Sequence, residues 1–199
     1  MNVKILVLLF SFLGLSSCQE DTKQRFIDQE KEAQKREVVF ANINKGWSFN
    51  AQPANETSRA LLTNWSEWRI FLRELSQKPK SSIGAFQQKA KTLSLKAADL
   101  NNHIPFAYDK PEVKSRIAAL TTQVNALNLY IHLNNIPDKK VVQFIQDINI
   151  ELVSVQRQLD EIDRKSKIKT EDGEANMIRM LDTTRAIPSE NDPKLKPYK

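Results

Sequence analysis

The residue types that most often carry catalysis or bind metals are scarce in this chain of 199 residues. It contains one cysteine and two histidines, Cys18, His103 and His132. Neither histidine follows a glutamate by three residues, as helical di-metal carboxylate sites require. The sequence also lacks His-Glu-x-x-His, a glycine-rich phosphate loop and Gly-x-Ser-x-Gly. We therefore expect no catalytic residue, no metal site and no cofactor, and a protein that is not an enzyme.

Cys18 follows a segment with the pattern of a secretory signal peptide. Lys4 supplies a positive charge, and Ile5 to Leu15 form an apolar run that is too short to span a bilayer. Leu15-Ser16-Ser17-Cys18 resembles the lipobox of bacterial lipoproteins. That resemblance implies a diacylglyceryl group on the Cys18 sulfur, cleavage before Cys18 and acylation of the new amino terminus. The alternative is an ordinary signal peptide with a chance cysteine.

The residues after the lipobox bear on localisation. In lipoproteins of the enterobacterial type, Asp after the cysteine implies retention in the inner membrane, whereas this chain has Gln19, so we expect an outer-membrane anchor. Gln19-Glu20-Asp21 resembles the acidic export tag of surface lipoproteins in Bacteroidota-type bacteria, but the periplasmic face stays open. The segments LSQKPKSSIGAFQQKAKTLS (75–94) and IRMLDTTR (178–185) are similar to helical lipoproteins of such bacteria. This second resemblance implies no particular activity.

Prolines and apolar stripes divide the mature chain into helices. Proline is excluded from helix interiors and marks helix boundaries, here at Pro53, Pro79, Pro105, Pro111 and Pro137. Between the prolines, apolar residues recur at alternating spacings of three and four, which is the pattern of packed helices. The stripes run from Leu61 to Leu75, from Ile83 to Ile104, from Val113 to Ile131 and from Val141 to Ile162.

Four helices of about 22 residues each, joined by short loops, should lie antiparallel. We therefore predict an all-α fold whose core is an antiparallel four-helix bundle over residues 54–165. Two flanking helices are predicted: one at 24–45, ended by Gly46 and packed only from about Val38, and one at 174–186. The predicted domains are a signal peptide at 1–17, an anchor, polar tether and N-terminal helix at 18–52, a helical bundle at 53–187 and a disordered tail at 188–199.

The helix ends carry residues that commonly act as caps. Asn, Ser and Asp side chains accept hydrogen bonds from the free N–H groups of a first turn. The predicted N-terminal caps are Asn55, Ser81 or Ser82, an Asp109-x-x-Glu112 box around Pro111, and Asp138. At the C-terminal ends, Asn101-Asn102 and Asn134-Asn135 precede Ile-Pro pairs, where asparagine can adopt the left-handed closing conformation.

Trp65 and Trp68 form the centre of an aromatic-rich stretch on the second predicted helix. Their positions in the apolar stripe favour burial in the core. The alternative is an exposed anchor for a partner, since tryptophan is enriched at interface hot spots.

Positive charge is concentrated in one region of the sequence. Residues 69–118 contain ten basic and four acidic residues, and the whole chain has a net charge of +6. In an antiparallel bundle, the turns at 76–82 and 136–140 fall at the same end and bring together Lys78, Lys80, Lys139 and Lys140. The simple interpretation is a solvated surface. The alternative is docking to anionic lipid, lipopolysaccharide phosphate or an acidic partner; nucleic acid is not expected for an exported chain.

Together these features predict a lipid-anchored, non-catalytic scaffold or accessory subunit of an outer-membrane or cell-envelope assembly. Its expected contacts are the membrane, through lipidated Cys18, and an outer-membrane barrel or other envelope lipoproteins. The alternative is a helical binding module for an apolar ligand or an acidic envelope glycan or lipid, with Trp65 and Trp68 or the four lysines as contacts.

Overall fold

The computed structural model describes residues 18–168, with side chains from residue 23 onward. The signal peptide, the helix predicted at 174–186 and the tail predicted at 188–199 lie outside the described residues. Between residues 18 and 168 the fold is all-helical, as the sequence predicts. The six α-helices are α1 (Cys18–Gly46), α2 (Glu56–Asn64), α3 (Ser66–Ser76), α4 (Ile83–Asp99), α5 (Pro111–Ile131) and α6 (Asp138–Ser166), with a short 3-10 turn at Phe106–Tyr108.

The predicted apolar stripes form the core of these helices. The stripes on α4, α5 and α6 are buried along their length. Only their end residues Ile83, Ile104 and Ile162 stay half-exposed. Since buried apolar area is the main stabilising contribution to folding, this confirms the periodicity as the basis of the fold.

Hydrogen bonds between side chains and backbone show how neighbouring helices run. The Gln87 amide on α4 donates to the Ile131 carbonyl oxygen on α5 at 2.9 Å. Ten residues further along α4, the Ala97 carbonyl oxygen accepts from the Thr121 hydroxyl at 3.2 Å. Residue numbers rise on one helix as they fall on the other, so α4 and α5 are antiparallel. The helices pack as a bundle, and the complete antiparallel four-helix arrangement stays a prediction.

The second predicted helix is two helices, so the expectation of one continuous helix there was wrong. Trp65 adopts an extended conformation, with φ −127° and ψ 91°, between α2 and α3. Its N–H donates to the Leu61 carbonyl oxygen at 2.9 Å, and its own carbonyl oxygen accepts from the Arg69 N–H at 3.1 Å. Because the backbone stays hydrogen-bonded on both sides, the chain changes direction at one residue without losing the apolar spacing that suggested a single helix.

Two of the predicted N-terminal caps are confirmed. The Asn55 side-chain oxygen accepts from the Ser58 N–H at 2.7 Å and caps α2. The Ser82 hydroxyl accepts from the Ala85 N–H at 3.2 Å and caps α4. Each bond satisfies a first-turn donor that the helix itself leaves free.

The caps predicted for α5 and α6 were wrong. Lys110 is the residue before α5 and makes no side-chain capping bond, while Asp109 pairs with Lys114 at 2.6 Å. Asp138 is the first residue of α6 rather than its cap, and its carboxylate accepts from the Asn42 amide on α1. In both cases the carboxylate is engaged by a side chain instead of the backbone.

The left-handed closing position belongs to a histidine and not to the predicted asparagines. Among the described non-glycine residues, only His103 has a positive φ, at 55°. Histidine is one of the few residue types enriched there. The ring is held by Glu67, whose Oε1 lies 2.9 Å from His103 Nδ1.

The first helix is longer than predicted and is polar along its N-terminal half. It ends at Gly46, as predicted. Every side chain from residue 23 to Val38 is exposed, Val39 and Phe40 are half-buried, and Ile43 is fully buried. Packing therefore begins at about residue 38, as the sequence indicated.

The last turns of α1 lie beside the start of α6 and the turn between α3 and α4. Asn42 bonds Asp138, and the Asn44 carbonyl oxygen accepts from the Lys78 ammonium. The next segment continues along α6, where the Asn50 N–H donates to the Asn149 side-chain oxygen at 2.8 Å. We call this end, with the turns at 77–82 and 132–137, the α1 end. The N-terminal half of α1 projects from it.

Residues 18–160 belong to one compact unit, and Glu161 begins a second, of which residues 161–168 are described. The Glu161 carboxylate pairs with Arg164 at 2.8 Å and with Lys165 at 3.3 Å. These hydrogen bonds lower the pKa of Glu161 to about 2. The pairs reinforce the last turns of α6, where basic residues also suit the helix dipole.

Candidate functional site

The four lysines predicted to share one end are exposed at the α1 end: Lys78, Lys80, Lys139 and Lys140. Lys78 donates to a carbonyl oxygen in the last turns of α1. The Lys140 ammonium lies 5.1 Å from the centre of the Phe144 ring and donates to Gln143 at 3.3 Å. Because Asn42 also bonds Asp138, the two turns meet the same stretch of α1. None of the four lysines lines either of the two grooves described below.

Trp65 and Trp68 are core residues. Neither side chain has any exposed surface, and the two rings stack with centroids 5.6 Å apart and planes 21° apart. This favours the packing interpretation. The proposed exposed anchor is wrong for this fold, because both rings are fully buried. Neither indole N–H has a hydrogen-bond partner among the described residues, so the rings contribute through apolar area and stacking.

Cys18 is the first residue of α1. Its side chain is not among those described, so lipid attachment stays a prediction. The structure shows that Cys18 begins a helix that continues without a break to the buried core residue Ile43.

The two histidines make separate hydrogen bonds, His103 with the Glu67 carboxylate and His132 with a backbone carbonyl oxygen. Burial raises the pKa of the Glu67 carboxyl, but the hydrogen bonds from His103 and the Ser66 hydroxyl outweigh it and hold the pKa below its ordinary value. The His132 Nδ1 lies 2.7 Å from the Asn128 carbonyl oxygen. In the described part of the chain, no three histidine, cysteine or acidic residues stand close enough to hold a metal ion.

A groove beside α1 is the concave site that sequence reasoning missed. It has a volume of about 650 Å³ and lies between three elements at the α1 end. α1 contributes Glu32, Lys35, Arg36 and Val39, α4 contributes Ile83 and Gln87, and the turn after α5 contributes residues 132–136. A second groove of about 640 Å³ lies along α1 with Pro137 and Asp138. Both grooves include Lys35 and Ile136.

The α1 wall of the groove has a definite charge arrangement. Lys35 and Glu32 form an ion pair at 2.8 Å. The hydrogen bond from Lys35 holds the pKa of Glu32 below its ordinary value, and the same bond raises the pKa of Lys35. Arg36 Nε donates to the Glu32 carbonyl oxygen at 3.2 Å. Lys35 and Arg36 both act electrostatically on Glu32, so the three side chains together leave one net positive charge on this wall.

Part of the groove floor is apolar, beside the polar residues Gln87, Asn134 and Asn135. Val39, Ile83 and Ile136 are half-buried, and Leu133 is 42% exposed. The only clue in the sequence was the pair Val38-Val39, which interrupts a polar helix. Residues from α1 and from the 132–136 turn are about a hundred positions apart, so no local spacing could have indicated this site.

The chain matches no protein-family model, no curated protein and no solved structure. Among residues 18–168, no helix combines the length and the apolar character needed to cross a bilayer.

Proposed function

We propose that this protein is a lipid-anchored, non-catalytic scaffold or accessory subunit of an outer-membrane or other cell-envelope assembly. The observation that carries the proposal is α1, which starts at Cys18 and is exposed from residue 23 to Val38. At a rise of 1.5 Å per residue, the stretch from Cys18 to Val38 is about 30 Å long. A lipid on Cys18 would thus hold the bundle about 30 Å from its point of attachment.

Two features support a spacer in preference to a helix lying on the membrane. Interfacial helices need a continuous apolar face, whereas the exposed part of α1 has only Phe26, Ile27 and Val38 as large apolar side chains. Its base is also firmly joined to the bundle, because Ile43 and Trp47 are buried and the Trp47 ring contacts Phe86 at 4.8 Å between centroids.

A spacer of this kind suits assembly with other membrane-bound proteins. Anchoring confines partners to one surface and raises their effective concentration without a large interface. The partners that fit are an outer-membrane barrel or other envelope lipoproteins. At the end opposite α1, Phe106 is 97% exposed on a 3-10 turn held by the Tyr108 N–H to the Pro105 carbonyl oxygen at 2.8 Å. An ordered, exposed aromatic side chain is a suitable contact for such a partner.

The test is affinity purification of the tagged full chain in mild detergent, followed by mass spectrometry. We expect a membrane protein to be recovered in stoichiometric amount. Deleting the seven residues 24–30 shortens α1 by about 10 Å and keeps the helix face nearly in register, so it should abolish recovery of the partner. Replacing the same seven residues by polar helix formers keeps the length and should preserve recovery.

Two outcomes would overturn the proposal. One is recovery of the protein alone, together with turnover of an envelope substrate. The other is equal partner recovery by the shortened and the length-matched variants, which would show that the spacing is irrelevant.

A second candidate function is a binding module. The two tryptophans cannot serve it because they are buried, whereas the groove beside α1 offers a partly apolar floor with a basic wall.

A further inference from the structure

We propose that the groove beside α1 binds one molecule of an anionic phospholipid, with its phosphate at Arg36 and its apolar chain along Val39, Ile83, Leu133 and Ile136. The inference deepens the binding-module candidate. The lining of the groove carries it, and its test does not require the scaffold function or the lipid on Cys18.

The charged side chains that α1 contributes to the groove indicate which lipid headgroup it would bind. Arginine presents a planar fork of donors that matches phosphate. Arg36 is exposed on α1, and its described hydrogen bond goes to a backbone carbonyl oxygen, not to a carboxylate. Lys35 stands one residue away with its charge engaged by Glu32 at 2.8 Å. A single negative charge is therefore balanced by Arg36, with Lys35 and Glu32 as a neutral pair beside it.

The apolar side chains of the groove indicate a ligand that has a hydrocarbon chain as well as a phosphate. Val39 and Ile83 come from different helices, and Leu133 and Ile136 come from one turn, yet all four line the same groove. Their remaining exposed apolar area would be removed from water by a hydrocarbon chain, a gain of about 25 cal/mol per Å². A free phosphate or a glycan would leave this area wet, so the site fits an amphiphile.

The size and position of the groove select a single lipid molecule over a bilayer surface. A volume of about 650 Å³ lies in the range of small-molecule sites, about 300–1,000 Å³. Along α1, Val39 is about 30 Å from Cys18, several times the Debye length of about 8 Å at physiological ionic strength. With α1 upright, the groove lies beyond the electrostatic reach of the bilayer that would hold the anchor.

The experiment uses the full chain carrying Cys18→Ala, so that its outcome is independent of lipidation. Three soluble probes are titrated by calorimetry: dihexanoylphosphatidylglycerol, dihexanoylphosphatidylcholine and glycerol phosphate. They share a phosphate but differ in net charge and in the presence of chains. We expect the anionic lipid to bind at least about tenfold more tightly than glycerol phosphate, which has no chain to cover the apolar side chains. It should also bind more tightly than dihexanoylphosphatidylcholine, whose choline cation would be placed near Arg36 and Lys35.

Variants locate the site. Arg36→Gln should weaken binding of the anionic lipid about tenfold. Ile83→Ser should weaken binding of the same lipid but leave the affinity for glycerol phosphate unchanged. Arg116→Gln is the matched control, because Arg116 is an exposed arginine on α5 outside the groove. Circular dichroism and the melting temperature confirm that each variant folds; Arg36 is exposed, so its replacement should leave both unchanged.

Several outcomes would overturn the proposal. These are no binding of the anionic lipid, equal affinity for the zwitterionic lipid or glycerol phosphate, and equal loss in Arg36→Gln and Arg116→Gln. None of them affects the partner recovery that tests the scaffold function, so the failure of one proposal is distinguishable from failure of the other.

Discussion

Gly46 lies at the junction of α1 and α6, where packing leaves no space for a side chain. A Cβ atom at Gly46 would lie 2.5 Å from Cγ2 and 2.8 Å from Cγ1 of Val142. Valine on a helix has essentially one χ1 rotamer, so it cannot turn aside. The glycine is therefore required because the Val142 side chain occupies the space that a Cβ atom would need.

We expect Gly46→Ala to lower the free energy of unfolding by about 1–3 kcal/mol, the usual cost of overpacking. Gly84→Ala is the matched control. The nearest atom to a Cβ at Gly84 is the Ser82 Oγ at 3.8 Å, so alanine should be neutral or stabilise by about 0.4–1 kcal/mol. Urea denaturation measures both changes. Equal effects at the two positions would contradict the close contact of α1 with α6.

The contact between Glu67 and His103 makes stability depend on pH. The pKa of Glu67 in the folded protein is below its ordinary value of 4.5. The ionised carboxylate therefore favours the folded state. Its contribution is fully present above pH 4.5 and is lost as the pH falls through the folded-state pKa.

Glu67→Gln should remove the decrease in stability that protonation of Glu67 causes as the pH falls. Urea denaturation between about pH 3 and pH 7 measures this change in the free energy of unfolding. In His103→Gly, glycine adopts the positive φ without strain and the imidazole bond is absent. The stabilising contribution of the Glu67 carboxylate should then be smaller, because only the hydrogen bonds from Ser66 and from the backbone still oppose the effect of burial on its pKa. An identical pH dependence in wild type and Glu67→Gln would show that this carboxylate contributes nothing.

At the scale of the helices, burial separates large aliphatic residues that lie on the same helix. Leu93 on α4 and Leu152 on α6 are fully buried, whereas Leu95 is 59% and Ile150 is 64% exposed. The two residues of each pair are two positions apart on one helix. The comparison therefore keeps the helix and the local sequence nearly the same.

Leu93→Ala and Leu152→Ala should each cost about 2–5 kcal/mol of stability, the range for large-to-small changes in a core. Leu95→Ala and Ile150→Ala should change it by less than about 0.5 kcal/mol, as exposed substitutions usually do. Thermal and urea unfolding provide the measurement. A small effect at both buried positions would mean that the assigned core face is wrong.

The break at Trp65 is a feature of the helices that the sequence did not predict. Apolar residues continue at spacings of three and four through Leu61, Trp65, Trp68 and Leu72, and nothing in this spacing indicates that one residue is extended. The caps show the opposite case. Asn55 and Ser82 act on N–H groups three residues away, so the local sequence was sufficient to predict them.

At the scale of the whole molecule, the projecting half of α1 and the predicted lipid on Cys18 belong together. We expect Cys18→Ala to leave the protein in the soluble fraction or uncleaved with its signal peptide. Membrane fractionation and mass spectrometry of the mature N-terminal peptide measure this. Unchanged fractionation without a lipid mass on the peptide would contradict the anchor.

The pattern of residue types was enough to predict the all-helical class, the buried stripes on α4, α5 and α6, the caps at Asn55 and Ser82, and the end of α1 at Gly46. These depend on helical periodicity and on contacts within a few residues, which a sequence displays directly. It also indicated that the turns carrying the four lysines lie at one end.

Three features could be found only from the packing of the helices: the break at Trp65, the reason for glycine at Gly46 and the groove beside α1. Each depends on contacts between distant parts of the chain; Asn42 and Asp138, for example, bond across 96 residues. The direction in which α1 leaves the bundle places Arg36 and Ile83 in one groove. No spacing within either helix encodes that meeting, because it results from how the helices pack and not from the sequence of either one.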